Sequence, residues 1–240
     1  MKALLFILFS GLKWGKLATS GGTMLLSLVV YATIWGWRYA AGFIALLFAH
    51  EMGHFIAARQ RGLNVGAPTF IPFVGAWIAL QDQPMDVETE AYVALAGPLV
   101  GTICALAVYL WARSEGSGLL LAISYSGFFL NLFNLLPLSP LDGGRITAVL
   151  SPRIWFLGVP ILLAAMLYRP SPMLIFIAVL AAPQLMKAWR YDPKALENVA
   201  YYDVALQTKL EYGVAYLALA ALLAVMTYDV HEMLGQFRHA

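Results

Sequence analysis

The sequence predicts an all-α polytopic membrane protein with about six transmembrane helices and one re-entrant segment that resembles a β-hairpin. Its 240 residues are 61% hydrophobic and 12% charged, and the mean hydropathy is +0.75. A soluble domain is typically about 25% charged and roughly 45–50% apolar. Several apolar runs also approach the ~20 residues that a helix needs to cross a bilayer. Composition and run length together exclude an ordinary soluble fold.

Charge and cysteine content exclude several classes of function. The net charge is only +2, and the basic residues form short clusters between apolar runs. This pattern is typical of loops whose basic residues set the orientation of transmembrane helices. No basic stripe with interleaved aromatic residues is present, so no nucleic-acid partner is expected. Cys104 is the only cysteine, which excludes a disulfide framework and a CxxC metal site. Any metal ligands are therefore histidines and carboxylates.

The first part of the chain combines apolar runs with flanking basic residues. We interpret residues 1–17 as an interfacial amphipathic segment that Lys13 and Lys16 hold on the cytoplasmic side. Residues 18–37 predict the first span and residues 39–59 predict the second. Basic residues flank the start of the first span and the end of the second, so we expect both of these ends in the cytoplasm.

The second predicted span contains His50, Glu51 and His54 in an otherwise apolar helix. A charged group at bilayer depth costs at least ~2.5–3.5 kcal/mol, so three ionisable side chains there indicate a site. The HExxH spacing puts both imidazoles on one helix face, about 6 Å apart along the axis, where they can share one Zn²⁺. The carboxylate beside the first histidine can take a proton from a metal-bound water. The alternative is that these polar residues only bond neighbouring helices.

Residues 66–82 are apolar but do not predict a spanning helix. Pro68 and Pro72 interrupt them, and the segment is rich in β-branched and aromatic residues. Non-helical backbone at membrane depth survives only where protein or a wet cavity satisfies it. We therefore predict a re-entrant β-hairpin-like segment beside the metal, with an interfacial loop as the alternative. Residues 81–90 hold several acids and predict a solvated connector.

The third and fourth spans are predicted at residues 91–112 and 118–136. The fourth runs into NLLPLSPLDGG, whose prolines break the helix around Asp142. A carboxylate in such an apolar region needs a partner, and a cation suits it. Two histidines and one carboxylate would leave a fourth zinc position open for water. The alternative is that Asp142 caps the following helix and pairs with Arg145.

The remaining sequence predicts accessory spans around one polar stretch. Residues 154–168 and 172–186 predict two further spans, and residues 212–228 predict a possible last one. Residues 187–211 form the longest polar stretch, which its basic residues place in the cytoplasm. Its tyrosines suit a helix at the level of the lipid headgroups.

Two motifs resemble those of the site-2 protease family of intramembrane zinc metalloproteases, peptidase family M50. That family pairs HExxH in one transmembrane helix with N-x-x-P-x-x-P-L-D-G in another, and HEMGH lies here in an apolar helix. The second motif is matched at Asn134, Pro137, Pro140, Leu141, Asp142 and Gly143. The resemblance covers residues 43–146.

The resemblance implies one Zn²⁺ per chain, with His50, His54 and Asp142 as ligands and Glu51 as general base and acid. The implied activity is a zinc-dependent endopeptidase that cleaves peptide bonds in or near transmembrane segments of membrane-protein substrates, within the lipid bilayer. Asn134 is implied to hold the substrate or the developing oxyanion. The hairpin supplies further substrate-binding candidates, namely Thr69, Phe70, Phe73 and Trp77.

We expect a single membrane-embedded metalloprotease domain over residues 1–240. Residues 18–146 form its catalytic core with both motifs, and residues 147–240 supply accessory helices and a cytoplasmic loop. No PDZ or CBS domain is expected, which implies a minimal catalytic core. The active site is expected nearer the cytoplasmic side, because basic residues follow the HEMGH helix. The sequence predicts no particular oligomeric state.

Two other functions are compatible with an intramembrane cluster of histidines and carboxylates. A divalent-metal transporter could pass an ion through the cluster, but such proteins usually show inverted repeats and paired broken helices, which this sequence lacks. A catalytically silent binding protein could retain substrate helices, but it would not need Glu51 together with every ligand.

Overall fold

The computed structural model describes residues 20–66, 68–72, 75–77 and 86–239, most of which are helical. The predicted interfacial segment at residues 1–17 and the substrate candidate Phe73 lie outside the described residues. In chain order the elements are α1 (Ser20–Trp35), α2 (Trp37–Gln60), β1 (Thr69–Ile71), β2 (Gly75–Trp77), α3 (Val87–Glu115), α4 (Gly118–Asn134), α5 (Asp142–Thr147), a 3₁₀ helix (Pro152–Leu157), α6 (Gly158–Tyr168), α7 (Pro172–Trp189), α8 (Leu196–Tyr202) and α9 (Leu206–His239).

Four of these helices are long and apolar enough to cross a membrane. They are α2, α3, α7 and α9, and three shorter apolar helical segments lie at Ser20–Trp35, Gly118–Asn134 and Pro152–Tyr168. The four long helices agree with part of the predicted set of about six spans. Spanning by the shorter segments remains a prediction.

Helices α2, α3 and α4 pack against one another and form the centre of the molecule. Small residues let α2 and α3 approach closely, because a Cβ added at Gly53 would overlap the backbone of Ala96. The α2–α4 contact is tied by a 2.5 Å hydrogen bond between the hydroxyls of Tyr39 and Ser126. Such close packing places polar groups of three helices within reach of one another.

Helix α3 is longer at both ends than the predicted third span at residues 91–112. Asp86 caps it by accepting a 2.6 Å hydrogen bond from the Thr89 backbone N–H, so residues 87–90 of the predicted connector are helical. The helix ends at Gly116, whose φ of 60° places it in the left-handed region that favours glycine. The connector prediction is therefore wrong for residues 87–90, because the Asp86 side chain satisfies a backbone N–H of the first turn and starts the helix there. Residues 81–85 of the predicted connector lie outside the described residues.

Strands β1 and β2 form an antiparallel pair in the segment predicted to resemble a β-hairpin. Thr69 lies opposite Trp77 and Ile71 lies opposite Gly75. The pair is attached to α1, because the backbone N–H of Phe70 donates to the Thr23 hydroxyl at 3.2 Å. The side chain of Phe70 is buried against α1 and α2. Insertion of this strand pair into the membrane remains a prediction.

The C-terminal helices pack on the core through apolar clusters and through side-chain hydrogen bonds. Helix α9 contacts α4 and α5, and the Tyr216 hydroxyl donates to the Leu135 carbonyl at 2.7 Å. Helices α6 and α7 both pack against the 3₁₀ helix. The Trp155 indole N–H of that 3₁₀ helix donates to the Gly144 carbonyl of α5 at 2.7 Å. The accessory helices therefore contact the segment that follows the helix break.

Candidate metal centre

His50 lies on the buried face of α2 with its ring orientation set by α4. Its Nδ1 is 2.8 Å from Oδ1 of Asn131, and the Asn131 amide nitrogen donates to the Gly127 carbonyl at 2.7 Å. Because a carbonyl only accepts, the amide nitrogen faces Gly127 and the amide oxygen faces His50. The proton of the neutral imidazole is therefore on Nδ1, and Nε2 presents a lone pair.

His54 is held in the same way by α3. Its Nδ1 donates to the Val93 backbone carbonyl at 2.8 Å, which again leaves the Nε2 lone pair free. Gly97 makes room for the ring, since a Cβ at that position would overlap the imidazole. The two Nε2 atoms lie 3.1 Å apart, although neither carries a proton that could bond to the other.

Asp142 completes the cluster from the first residue of α5. Its Oδ2 atom lies 3.3 Å from Nε2 of His50 and 3.3 Å from Nε2 of His54. The alternative capping role does not fit, because the N-cap residue is Leu141 and no side chain caps this helix. Arg145 pairs instead with Glu90, with 3.1 Å between Nε and Oε1.

The three ligand atoms form a triangle with the dimensions of a zinc site. Tetrahedral ligands at ~2.0–2.2 Å from Zn²⁺ are separated by roughly 3.3–3.6 Å, close to the observed distances of 3.1 and 3.3 Å. His50, His54 and Asp142 are between 2% and 9% exposed. Three electron pairs that converge in a buried site repel one another unless a cation lies between them. The residues therefore fit a divalent metal ion with one tetrahedral position left open.

Glu51 lies beside the cluster but is not part of it. Its side chain is 4% exposed, and the group of ligand atoms that lie within 4.8 Å of one another contains only His50, His54 and Asp142 among the described residues. Where the structure describes side chains, none forms a hydrogen bond with the Glu51 carboxylate. A carboxylate in this position is available to exchange a proton with a water beside the metal.

The predicted substrate residues lie in two places. Thr69 and Phe70 are on β1, and Trp77 is opposite Thr69 on β2. Asn134 is the last residue of α4, and its half-buried amide has no hydrogen-bond partner among the described residues. In the part of the chain that the structure describes, no hydrogen bond or ion pair joins Asn134 to His50, His54 or Asp142. Its proposed contact with substrate remains a prediction.

Asn131 and the Val93 carbonyl are the functional groups that sequence reasoning missed. Asn131 was detectable as an amide in an apolar helix, although its partner His50 lies far away in sequence. The Val93 carbonyl gives no sequence signal, because every residue has one. Gly97, which admits His54, lies in the small-residue motif AGPLVG.

Comparison with known proteins finds similarity to one peptidase family around the HEMGH motif. Peptidase family M50 matches residues 38–126, which include the HEMGH motif. Zinc metalloprotease MJ0392 of Methanocaldococcus jannaschii is 30% identical over 138 residues, a match that covers 55% of this chain and 40% of that protein. Rip3 of Mycobacterium tuberculosis is 33% identical over 129 residues, covering 48% of this chain and 32% of that protein.

The chain is similar to the zinc metalloproteases of peptidase family M50. Its match spans two fifths or less of the length of these two curated relatives. A solved structure, the site-2 protease of Methanocaldococcus jannaschii, aligns with a TM-score of 0.46 and 24% identity, covering 70% of this chain and 87% of that one. The M50 match ends before Asp142, so the position of that residue beside the histidines comes from the structure of this chain.

Proposed function

We propose that this M50 relative is a zinc-dependent intramembrane endopeptidase that hydrolyses peptide bonds in or near transmembrane segments of other membrane proteins. The observation that carries the proposal is the triangle of two imidazole nitrogens and one carboxylate oxygen. It lies between helices that are apolar and long enough to cross a bilayer. The zinc metalloprotease named among its relatives supports zinc as the metal.

The roles of the individual side chains follow from their positions. His50, His54 and Asp142 would hold the ion, and the hydrogen bonds to Asn131 and the Val93 carbonyl would keep both Nε2 lone pairs directed at it. When bound there, zinc would lower the pKa of a water toward ~7 and polarise the scissile carbonyl.

Glu51 supplies the proton transfer in this proposal. One of its carboxylate oxygens accepts a proton from the attacking water as the water oxygen bonds to the scissile carbonyl carbon. The same oxygen then delivers the proton to the amide nitrogen that leaves. The burial of Glu51 and its position one residue after His50 support this assignment.

The strand pair supplies a place for an extended substrate. A helical peptide hides its scissile bonds inside its own hydrogen bonds, so the substrate has to unwind before it is cleaved. An extended segment can add to a strand edge through backbone hydrogen bonds, and β1 and β2 carry Thr69, Phe70 and Trp77. Asn134 is proposed as a further substrate contact from the resemblance, and Phe73 is proposed from the composition of its segment.

The orientation of the site follows from charge. Arg59 lies at the end of α2, and His50 precedes it by nine residues, or about 13 Å along a helix. From the positive-inside rule we expect the metal within the membrane and nearer the cytoplasm. In the same proposal residues 18–146 are the catalytic core and residues 147–240 are accessory to it, within one domain.

The test is zinc content together with cleavage of a model transmembrane peptide by the purified protein in detergent. Glu51→Gln should keep one zinc per chain and lose cleavage, because the amide cannot accept the proton. Glu232→Gln, a matched change at an exposed position on α9, should keep both the bound zinc and the cleavage activity. Wild-type zinc binding without cleavage would favour transport or a binding role, and normal cleavage by Glu51→Gln would exclude the assigned base.

A further inference from the structure

A chain of three polar side chains connects α8 with the short helix that carries Asp142. The Tyr201 hydroxyl donates to Oε2 of Glu90 at 2.5 Å, and Nε of Arg145 donates to Oε1 of the same carboxylate at 3.1 Å. Glu90 lies in the first turn of α3. Each of its two carboxylate oxygens therefore accepts one of these hydrogen bonds. Arg145 follows Asp142 by three residues on α5, within one helical turn.

The link is sheltered enough to constrain its members. The Glu90 and Arg145 side chains are 26% and 22% exposed, so the ion pair is partly shielded from water. Tyr201 lies outside the predicted spans, and burial together with the Glu90 charge raises its pKa. Its hydroxyl therefore remains protonated and donates at neutral pH.

Helix α5 depends on such contacts for its position. It has only six residues, and a helix this short is not stable without packing against its neighbours. Apart from the contacts of Asp142 with the histidines, two described side-chain polar contacts from other elements hold it, namely the Arg145 pair with Glu90 and the Trp155 hydrogen bond to the Gly144 carbonyl. Any movement of α5 at Arg145 displaces Asp142 relative to the two histidines, which are fixed separately by α3 and α4.

We propose that Tyr201 is a positioning residue for the metal centre. By holding Glu90 against Arg145, α8 sets the position of α5 and therefore the distance of Oδ2 of Asp142 from the histidine pair. The inference rests on the proposed zinc site, and it gives a role in metal affinity to a segment outside the M50 match. Because coupling between two equilibria is reciprocal, zinc binding also strengthens the docking of α8.

The adjacent tyrosine provides a matched control. The Tyr202 ring packs against Tyr201 with centroids 4.9 Å apart and against Tyr191 at 5.1 Å. In the described part of the chain the Tyr202 hydroxyl has no hydrogen-bond partner. Tyr201→Phe and Tyr202→Phe therefore remove the same atom from the same helix, but only the first breaks the link to Glu90.

The experiment measures zinc affinity by competition with a chelator, on the full chain in detergent, for the wild type and both variants. We expect Tyr201→Phe to weaken zinc binding by about three- to tenfold, somewhat less than the loss of a residue that bonds a ligand directly. Tyr202→Phe should bind zinc like the wild type. Added zinc should slow hydrogen exchange of the α8 backbone in the wild type and much less in Tyr201→Phe.

The outcomes separate this inference from the proposed function. Wild-type zinc affinity in Tyr201→Phe would overturn the positioning role and leave the protease proposal intact. The same conclusion would follow if both variants lost affinity equally, since the hydroxyl would then have no specific effect. A wild-type protein that binds no zinc at all would overturn the metal centre itself, and this inference with it.

Discussion

At the scale of single residues, the site depends on hydrogen bonds that control which nitrogen of each histidine carries a proton. The Asn131 amide oxygen and the Val93 carbonyl both accept from an Nδ1–H. Both imidazoles are thereby restricted to the tautomer that can bind a metal through Nε2. A pair of histidines on one helix face does not by itself ensure this.

The Asn131 contact gives a first prediction. Asn131→Leu removes the acceptor for the His50 Nδ1–H, so the ring can rotate or adopt the other tautomer. Zinc affinity should fall about 10- to 100-fold, the usual cost of losing a group that orients a metal ligand. Asn134→Leu, one turn further along α4, should leave zinc affinity unchanged. Equal zinc affinities for the wild type and Asn131→Leu would show that the amide does not orient the ring.

Gly97 gives a second prediction at this scale. A methyl group at this position would overlap the His54 ring, so Gly97→Ala should displace the imidazole and lower zinc affinity by at least about tenfold. Overpacking should also reduce the free energy of unfolding by ~1–3 kcal/mol. Gly235→Ala is the control, since nothing lies within 4 Å of a Cβ there. Both quantities can be measured by chelator competition and thermal unfolding, and full zinc affinity in Gly97→Ala would contradict the packing interpretation.

The residues of the proposed metal centre carry a sequence pattern, but the groups that orient them do not. HExxH and the carboxylate at the helix break are local patterns with a chemical meaning. The approach of Asp142 to the histidines depends on how α5 packs, which no local pattern encodes. The same holds for the Tyr201 link, whose members lie on three different helices.

At the scale of elements, helices were easier to predict than their ends. Long apolar runs predict α2 and α3 because a bilayer requires about 20 apolar residues. The start of α3 was missed because Asp86 forms its cap within an acidic segment that looked like a connector. The β1–β2 pair was predicted from composition, while its attachment to α1 through Thr23 had no sequence signal.

The strand pair gives a prediction at the element scale. Trp77→Pro removes a backbone donor from β2 and disturbs a strand geometry that proline rarely adopts. Cleavage of a model transmembrane peptide should fall strongly, whereas zinc content should stay at one per chain. Trp77→Phe keeps the backbone N–H and an aromatic ring, so its activity should stay close to that of the wild type. An equal loss in both variants would assign the effect to the indole instead of the strand.

At the scale of the whole molecule, the proposed metal adds one more connection between helices that packing and side-chain hydrogen bonds already join. Its proposed ligands come from α2 and α5, and their supporting groups come from α3 and α4. Zinc that binds only the folded state should stabilise the protein by about 4 kcal/mol at a thousandfold excess over Kd. For a chain of this size, that corresponds to a rise of roughly 10 °C in Tm.

Removal of the metal tests this connection. A strong chelator should lower the Tm of the wild type by about the same 10 °C, and added zinc should restore it. Asp142→Ala lacks one proposed ligand, so its Tm should respond much less to either treatment. A wild-type Tm that changes neither with the chelator nor with added zinc would indicate that the three side chains form only a structural cluster.

The separation of Asp142 from the histidine pair along the chain has a consequence for biosynthesis. A nascent chain that has inserted only its first three helices contains HEMGH but lacks the carboxylate, so it cannot yet complete the centre. Competence arises only after α4 and α5 have been made and have packed against α2. On the proposed assignment, the newly made protein is therefore inert toward neighbouring membrane proteins until this packing is complete.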